Sequence, residues 1–333
     1  MKAVVFHRHG SLDELGYEDF PDPQPGPHEA LVKVRAVALN GFDPMVLRGI
    51  PGLKTPLPMI PGADIAGEIV ELGADVDRHL WRVGDRVTVV PNQADGMMGE
   101  TKRGGACDRI AVDQTYLLPI PDAVSEVEAA CLPVAYGTAL RMIETRGRLR
   151  AGEKVLILGA SGGVGTCCVQ LAKAIGCEVI ACAGSQWKAA RLAELGADHT
   201  IDMSRQNYVA EIHRMYGKPR IRGGGGVDVI INYTGGDTWA ECFRALTAHG
   251  RLLTCGATAG YDPKTDLRYI WSFEFNIIGC NGWTIEDQRE LLRRVADRRL
   301  KPIVHSQEPL SNIRKPFEEL IDRQVFGKAV LIP

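Results

Sequence analysis

Between Gly159 and Gly165 the chain reads G-A-S-G-G-V-G, directly after the apolar run VLIL (155–158) and before a helical stretch reaching Ile175. Glycines at a strand-to-helix turn leave backbone N–H groups uncovered, and the helix N-terminus adds partial positive charge, so such a turn suits a phosphate. The spacing is G-x-x-G-x-x-G rather than G-x-G-x-x-G, and a turn needed only for helix–sheet packing would use the same glycines. The rhythm of the chain beyond Ile175 decides between the two. EVIACA (178–183) precedes a helix through Leu195, HTID (199–202) one near Tyr208–Tyr216, and DVIIN (228–232) one near Trp239–Leu246; RLLTCG (251–256) and NIIGC (276–280) end the series. Apolar strands of this length, separated by helices, predict an α/β doubly wound parallel sheet. The loop opens its first βα unit, where such sheets bind a dinucleotide. Ser161, Gly162, Gly163, Val164 and Gly165 are therefore candidate cofactor contacts.

The second strand indicates which dinucleotide. It ends CAGSQWK, with Ala183, Gly184 and Ser185 where an NAD site places the acid that binds the ribose 2′-hydroxyl. A hydroxyl and a cation, Ser185 and Lys188, with Arg191 beyond them, suit a 2′-phosphate instead. NADP(H) is the expected cofactor; the plainer reading of Lys188 is a solvated helix face.

The first third reads differently. AVVF, ALVKVRAVAL, IAGEIVELG and DRVTVV are β-branched and partly alternating, and PDPQPGPH and PLPMIPGAD punctuate them. A barrel-like antiparallel domain with one wet face is expected. Ser125 caps a helical stretch to about Arg146, and Glu286–Arg299, Pro309–Val325 and a closing KAVLI strand return to the first domain. The expected division is 1–123, 124–282 and 283–333, in line with two domains for 333 residues. RGGGG (222–226) is a solvated turn.

Charge excludes other classes. Lys+Arg 39 against Asp+Glu 41 leaves −2, no footprint for nucleic acid or anionic lipid. Val155 to Ala172 carries no charge over 18 residues, but four glycines, Ser161, Thr166 and Gln170 break it, so no membrane span is expected. Nine cysteines without a C-x-x-C pair read as free thiols in a reducing compartment. MKAVVFHRHG lacks the apolar core of a signal peptide, so a cytoplasmic protein is expected. The eight histidines form no i, i+4 ligand pair.

With AYGTAL (135–140), ELGADHTID (194–202), GGDTW (235–239) and GKAVLIP (327–333) added to the glycine loop, the chain resembles the medium-chain dehydrogenase/reductase superfamily. The similarity is greatest to its zinc-independent quinone oxidoreductase branch, the zeta-crystallin-like proteins. The resemblance implies a GroES-like catalytic domain interrupted by a Rossmann domain, with the active site in the cleft between them. Zinc-dependent members carry ligands in C-x-x-D, in G-H-E and after the interdomain helix begins. The corresponding residues here are Asn40-Gly41-Phe42-Asp43, Gly62-Ala63-Asp64 and Val134, and NQADGMMGETKRGG (92–105) lacks the cysteines of the structural zinc lobe. No metal is expected; Cys131 is expected to be a packed thiol.

The resemblance further implies that Asn40 donates to the substrate oxygen, with a turn-holding Asn as the alternative. Asp43 anchors the loop or serves the reaction, and Tyr136 lines the site or packs. Thr138 contacts the nicotinamide ribose, Gly256, Ala257 and Thr258 run beside the nicotinamide, and backbone groups around Asn281 bind its carboxamide. Ile201-Asp202-Met203 departs from the I-N-Y whose Tyr assists the 2′-phosphate. The expected activity is hydride transfer from NADPH to a quinone or α,β-unsaturated carbonyl. The alternatives are a zinc-free alcohol dehydrogenase or carbonyl reductase, and a non-catalytic NADPH-binding protein. The partners expected are a small-molecule substrate and a second copy of the chain, as homodimer or homotetramer through Asn276–Gly282.

Overall fold

The computed structural model describes residues 1–333, which divide into two units: Met1–Gly137 with Thr284–Pro333, and Thr138–Trp283. The second unit is therefore an insertion in the first.

The first unit is built on a seven-stranded sheet. Its order is Val304–Pro309, Lys328–Ile332, Glu29–Ala38, Asp64–Leu72, Arg86–Val89 and Leu117–Pro119, with Arg109–Asp113 also pairing on Glu29–Ala38. The ten-residue strand Glu29–Ala38 is long enough to take Arg109–Asp113 along its first half and Lys328–Ile332 at its last residues. Its burial alternates through Lys33 and Arg35, as the sequence pattern predicts for one wet face. The sheet is antiparallel except at its end, where Val304–Pro309 and Lys328–Ile332 run parallel. Helix Arg314–Ile321 lies between those two in the chain and supplies the crossover a parallel pair needs. Phe6, Ile65, Ile69, Val87, Phe317 and Leu331 are fully buried in its core, each stabilising the fold by about 1.5–3 kcal/mol before cavity effects.

The first boundary differs from the sequence reading. Residues 124–137 belong with the first unit, because helix Glu126–Ala130 packs on strands Glu29–Ala38, Asp64–Leu72 and Arg86–Val89. Ser125 caps that helix as expected: its Oγ accepts from Glu128 N (3.2 Å), and the Glu128 carboxylate accepts from Ser125 N (2.9 Å). The stretch is helical to Arg146 as expected, but its regular winding is interrupted after Ala130 and resumes only at Gly137–Leu140. Leu132–Tyr136 and Arg141–Arg146 are wider π-type turns, the first carrying Pro133, which has no N–H to continue a regular ladder.

The second unit is a six-stranded, wholly parallel sheet in the order His199–Asp202, Glu178–Ala183, Lys154–Ile157, Val227–Ile231, Leu246–Thr254, Asn276–Gly279. In chain order this is 3-2-1-4-5-6, the doubly wound arrangement whose direction reverses between the first and fourth strands. Helices Gly163–Ile175, Gln186–Glu194, Tyr208–Tyr216 and Asp237–Ala245 follow the first four strands, close to where the apolar periodicity puts them. Leu156, Ile180, Ile230 and Leu252 form its buried core, with Phe243 and Phe275 stacked at 6.1 Å between ring centroids. No helix is long and apolar enough to cross a membrane.

Candidate functional site

In the second unit the glycine loop lies at the switch point of the sheet. Gly159 takes a left-handed φ of 70°, the turn closes with Gly162 N donating to Gly159 O (3.2 Å), and Gly162 caps helix Gly163–Ile175 without a side chain. The first-turn N–H groups have no intrahelical acceptor; that of Gly165 donates to the Tyr233 hydroxyl, which leaves those of Gly163 and Val164, with Ser161 beside them, suited to an anion. The glycines do different work. A Cβ on Gly165 would meet the Ala160 backbone at 2.5 Å, so that glycine lets helix and loop pack. A Cβ on Gly162 would meet nothing nearer than 3.8 Å, so that position is open to a ligand.

Tyr233, which the motifs did not single out, joins two of the predicted cofactor segments. Its Oη donates to Gly159 O (2.5 Å), while its own carbonyl accepts from Thr258 N (3.3 Å). Ala259 N donates to Thr234 O (2.7 Å), so Gly256, Ala257 and Thr258 run beside the segment after strand Val227–Ile231. Cys280 N donates to Thr254 O (2.8 Å), which carries exposed Asn281 alongside Gly256. The Asn-Tyr-Thr run after an apolar strand was the available signal. Asn232, fully buried, accepts from Thr234 N and Gly235 N (both 3.0 Å) and fixes this turn.

At the end of strand Glu178–Ala183, Ser185 Oγ is buried without a hydrogen-bond partner. Lys188 is 6% exposed, with its ammonium 5.3 Å from the centre of the Trp187 ring. This corrects the plainer reading of Lys188 as a solvated face. The adjacent strand ends in Asp202, whose carboxylate accepts from Ser204 Oγ (2.6 Å) and Ser204 N (3.0 Å). Thr138, 9% exposed, is the first residue of this unit.

In the first unit, Asn40, Asp43, Asp64 and Lys328 form one buried polar cluster, and the strand register explains it. Val330 pairs with Ala38, and Ala38 pairs with Asp64. Continuing two residues past Ala38 places Asn40 opposite Lys328 on one side and Gly62 on the other. Lys328 Nζ donates to Asn40 Oδ1 (2.6 Å) and Asp64 Oδ2 (2.9 Å), and Asn40 Nδ2 donates to Asp64 Oδ2 (3.0 Å). Asp64 Oδ1 accepts from Val134 N (2.9 Å). Lys328 is 2% exposed and Asp64 fully buried, so removing either partner strands a charge, which costs about 3–5 kcal/mol. Sequence reading took Lys328 only as the start of an apolar strand; a cation heading the otherwise apolar KAVLI was the signal.

Asp43 joins this cluster through the Asn40 backbone. Its oxygens accept from Asn40 N (2.6 Å) and Gly62 N (3.1 Å), which makes it the anchor of the turn. Burial pushes its carboxyl up to about 7, against the lowering pull of both N–H donors and of Lys328. Tyr136 is fully buried, and its oxygen accepts from Ile303 N (2.9 Å). The structure thus corrects the catalytic expectation for Tyr136 to a packing one. Cys131 is fully buried and burial pushes its thiol up to about 12, so it is a packed thiol. No three His, Cys, Asp or Glu side chains converge where they would hold a metal ion.

The alcohol dehydrogenase GroES-like domain matches residues 26–122, and the zinc-binding dehydrogenase family matches 163–297. A solved NAD-dependent alcohol dehydrogenase superposes with a TM-score of 0.90 at 31% identity, covering 100% of both chains. The chain belongs to the medium-chain dehydrogenase/reductase superfamily of oxidoreductases, on its quinone oxidoreductase branch. It is 33% identical over 240 residues to quinone oxidoreductase-like protein 2 of Rattus norvegicus, 72% of this chain and 63% of that one. It is 28% identical to the acryloyl-coenzyme A reductase of Sulfurisphaera tokodaii over the full length of both. The GroES-like and Rossmann architecture expected from the motifs is the one observed.

Proposed function

We propose that this chain is an NADPH-dependent reductase of quinones or α,β-unsaturated carbonyl compounds that works without zinc. The observation that carries the reading is the buried Lys328–Asp64–Asn40 cluster. Asn40, Ala63 and Val134 stand where zinc-dependent relatives place ligands, and an incoming dication would share Asp64 with an ammonium 2.9 Å away. That donor set does not fit zinc.

NADP(H), when bound, supplies a hydride. The chain's own work is to hold that cofactor and to stabilise charge on the acceptor. The first-turn N–H groups of Gly163 and Val164, with Ser161 and Gly162, grip the pyrophosphate, Gly165 lets the helix approach it, and Ser185 and Lys188 hold the 2′-phosphate. Thr138, Gly256, Ala257, Thr258 and Asn281 line the nicotinamide portion. In a quinone or enone the charge left by hydride addition spreads onto a conjugated oxygen, so a single well-placed donor suffices. Asn40 Nδ2 gives one hydrogen to Asp64 and retains a second, and that N–H is the donor. The substrate named for the Sulfurisphaera tokodaii relative, acryloyl-coenzyme A, is an unsaturated thioester, an electrophile of the same class. The edge strand Asn276–Gly279, with Ile277 exposed, supports self-association.

The test is NADPH oxidation with 1,4-naphthoquinone, cyclohexenone and a panel of aldehydes, before and after chelation, with metal content measured alongside. Turnover of the first two that survives chelation is expected. Stoichiometric zinc required for turnover overturns the metal-free reading, and reduction of aldehydes alone overturns the substrate class.

A further inference from the structure

We propose that Lys328 is a positioning residue for the reduction: its buried ammonium locks the Asn40 carboxamide in the one orientation that presents an N–H. This deepens the reading above and rests on Asn40 as the donor. A carboxamide fits its site two ways round, and neighbours of matched polarity must choose between them. At Asn40 both neighbours are charged. Oδ1 faces the Lys328 ammonium at 2.6 Å, and Nδ2 faces the Asp64 carboxylate at 3.0 Å. Turning the amide over would set NH₂ against the ammonium and the carbonyl oxygen against the carboxylate, two repulsive contacts in place of two attractive ones.

The cluster is held from the other side as well. Asp64 is fixed by Val134 N and by Lys328, and the Asn40 backbone is fixed by Asp43. Asn40 is 7% exposed, so little water competes for its amide. Without Lys328, Oδ1 loses its partner and Nδ2 alone sets the orientation. Lys328 thereby acts on the reaction through Asn40 and transfers no atom itself.

A double-mutant cycle tests this, with naphthoquinone as acceptor and NADPH affinity measured by fluorescence titration. Asn40→Ala is expected to lower kcat by ~100-fold, the loss typical of one preorganised donor. Lys328→Met is expected to lower kcat by roughly tenfold or more with the KM for NADPH unchanged, and by about twofold or less in the Asn40→Ala background, because the two act as a unit. Lys328→Arg keeps the charge and the donors and is expected to restore most of the lost kcat.

An equal loss from Lys328→Met in both backgrounds overturns the proposal while leaving Asn40 as the donor. Full activity in Asn40→Ala overturns the reading of Asn40 itself, and the proposal with it. If Lys328→Met does not fold, Lys328→Met with Asp64→Asn removes both charges and leaves an oxygen for Val134 N. Its kcat loss is then expected to vanish in the Asn40→Ala background, and persistence of the loss there overturns the proposal.

Discussion

Tyr233 Oη reaches across the switch point of the parallel sheet to donate to Gly159 O at 2.5 Å, while the Tyr233 carbonyl accepts from Thr258 N. One residue at the end of the fourth strand therefore braces both the pyrophosphate turn and the segment after the fifth strand. Gly159 O keeps Gly162 N as a second donor, so losing the phenol leaves no orphaned carbonyl. The phenol also accepts from Gly165 N, so Tyr233→Phe removes two hydrogen bonds and is expected to cost about 1–3 kcal/mol of stability. It is expected to weaken NADPH several-fold by loosening the turn, with kcat at saturating NADPH unchanged. Urea unfolding and a fluorescence titration read the two effects separately; unaltered NADPH affinity contradicts the brace.

The two glycines that flank the start of the helix are expected to fail in different ways. Gly162→Ala places a methyl in space open within the protein, 3.8 Å from its nearest neighbour. Its stability is expected to stay within about 1 kcal/mol of wild type, with NADPH affinity falling tenfold or more. Gly165→Ala drives a methyl to 2.5 Å from the Ala160 backbone and is expected to cost about 1–3 kcal/mol through overpacking. A Gly162→Ala protein that unfolds early yet binds NADPH normally reverses the assignment.

Asp43 ties stability to pH. Its carboxyl, raised by burial to about 7 in the folded chain, returns toward the ordinary carboxylate range near 3.8 on unfolding. As pH rises from 4 to 7 the unfolded chain gives up this proton first, so the group's contribution shifts against folding, by at most about 4 kcal/mol, and is complete above 7. Asn at 43 does not titrate and loses one of two acceptor oxygens. The stability lead of wild type over Asp43→Asn is therefore expected to shrink between pH 4 and 7 and to level off above 7, as followed by urea midpoints. A lead that widens with pH contradicts the raised carboxyl.

The dinucleotide half was legible because its strands are local. VLIL, EVIACA and DVIIN are apolar runs whose helices come within a few residues, and Tyr208–Tyr216 is observed where periodicity placed it. The fifth strand begins at Leu246 rather than near Arg251, because an irregular stretch with His249 at a left-handed φ of 62° interrupts the apolar pattern. Asn40 was legible only through the family resemblance, its position at the end of an apolar strand reading equally as a turn. Its partner Lys328 lies 288 positions away, and only the register of two strand pairings brings them together. The π-type winding at Leu132–Tyr136 was illegible for another reason: Pro133 inside a helical pattern predicts an interruption but not its geometry.

Ser185 decides the cofactor in this reading. Its Oγ is buried and unpartnered at the end of the second strand, and no acid stands between Ala183 and Lys188. A 2′-phosphate would satisfy that hydroxyl and gain the positive charge of Lys188. A carboxylate at 185 would repel the phosphate dianion and accept hydrogen bonds from the free ribose hydroxyls of NADH. Ser185→Asp is expected to lower kcat/KM for NADPH by ~10–100-fold, about 1.4–3 kcal/mol, and to raise that for NADH. Steady-state kinetics with both cofactors and one acceptor measure the ratio. A wild type that prefers NADH, or a Ser185→Asp enzyme with the same preference as wild type, removes Ser185 from the 2′-phosphate site and NADPH from the proposed activity.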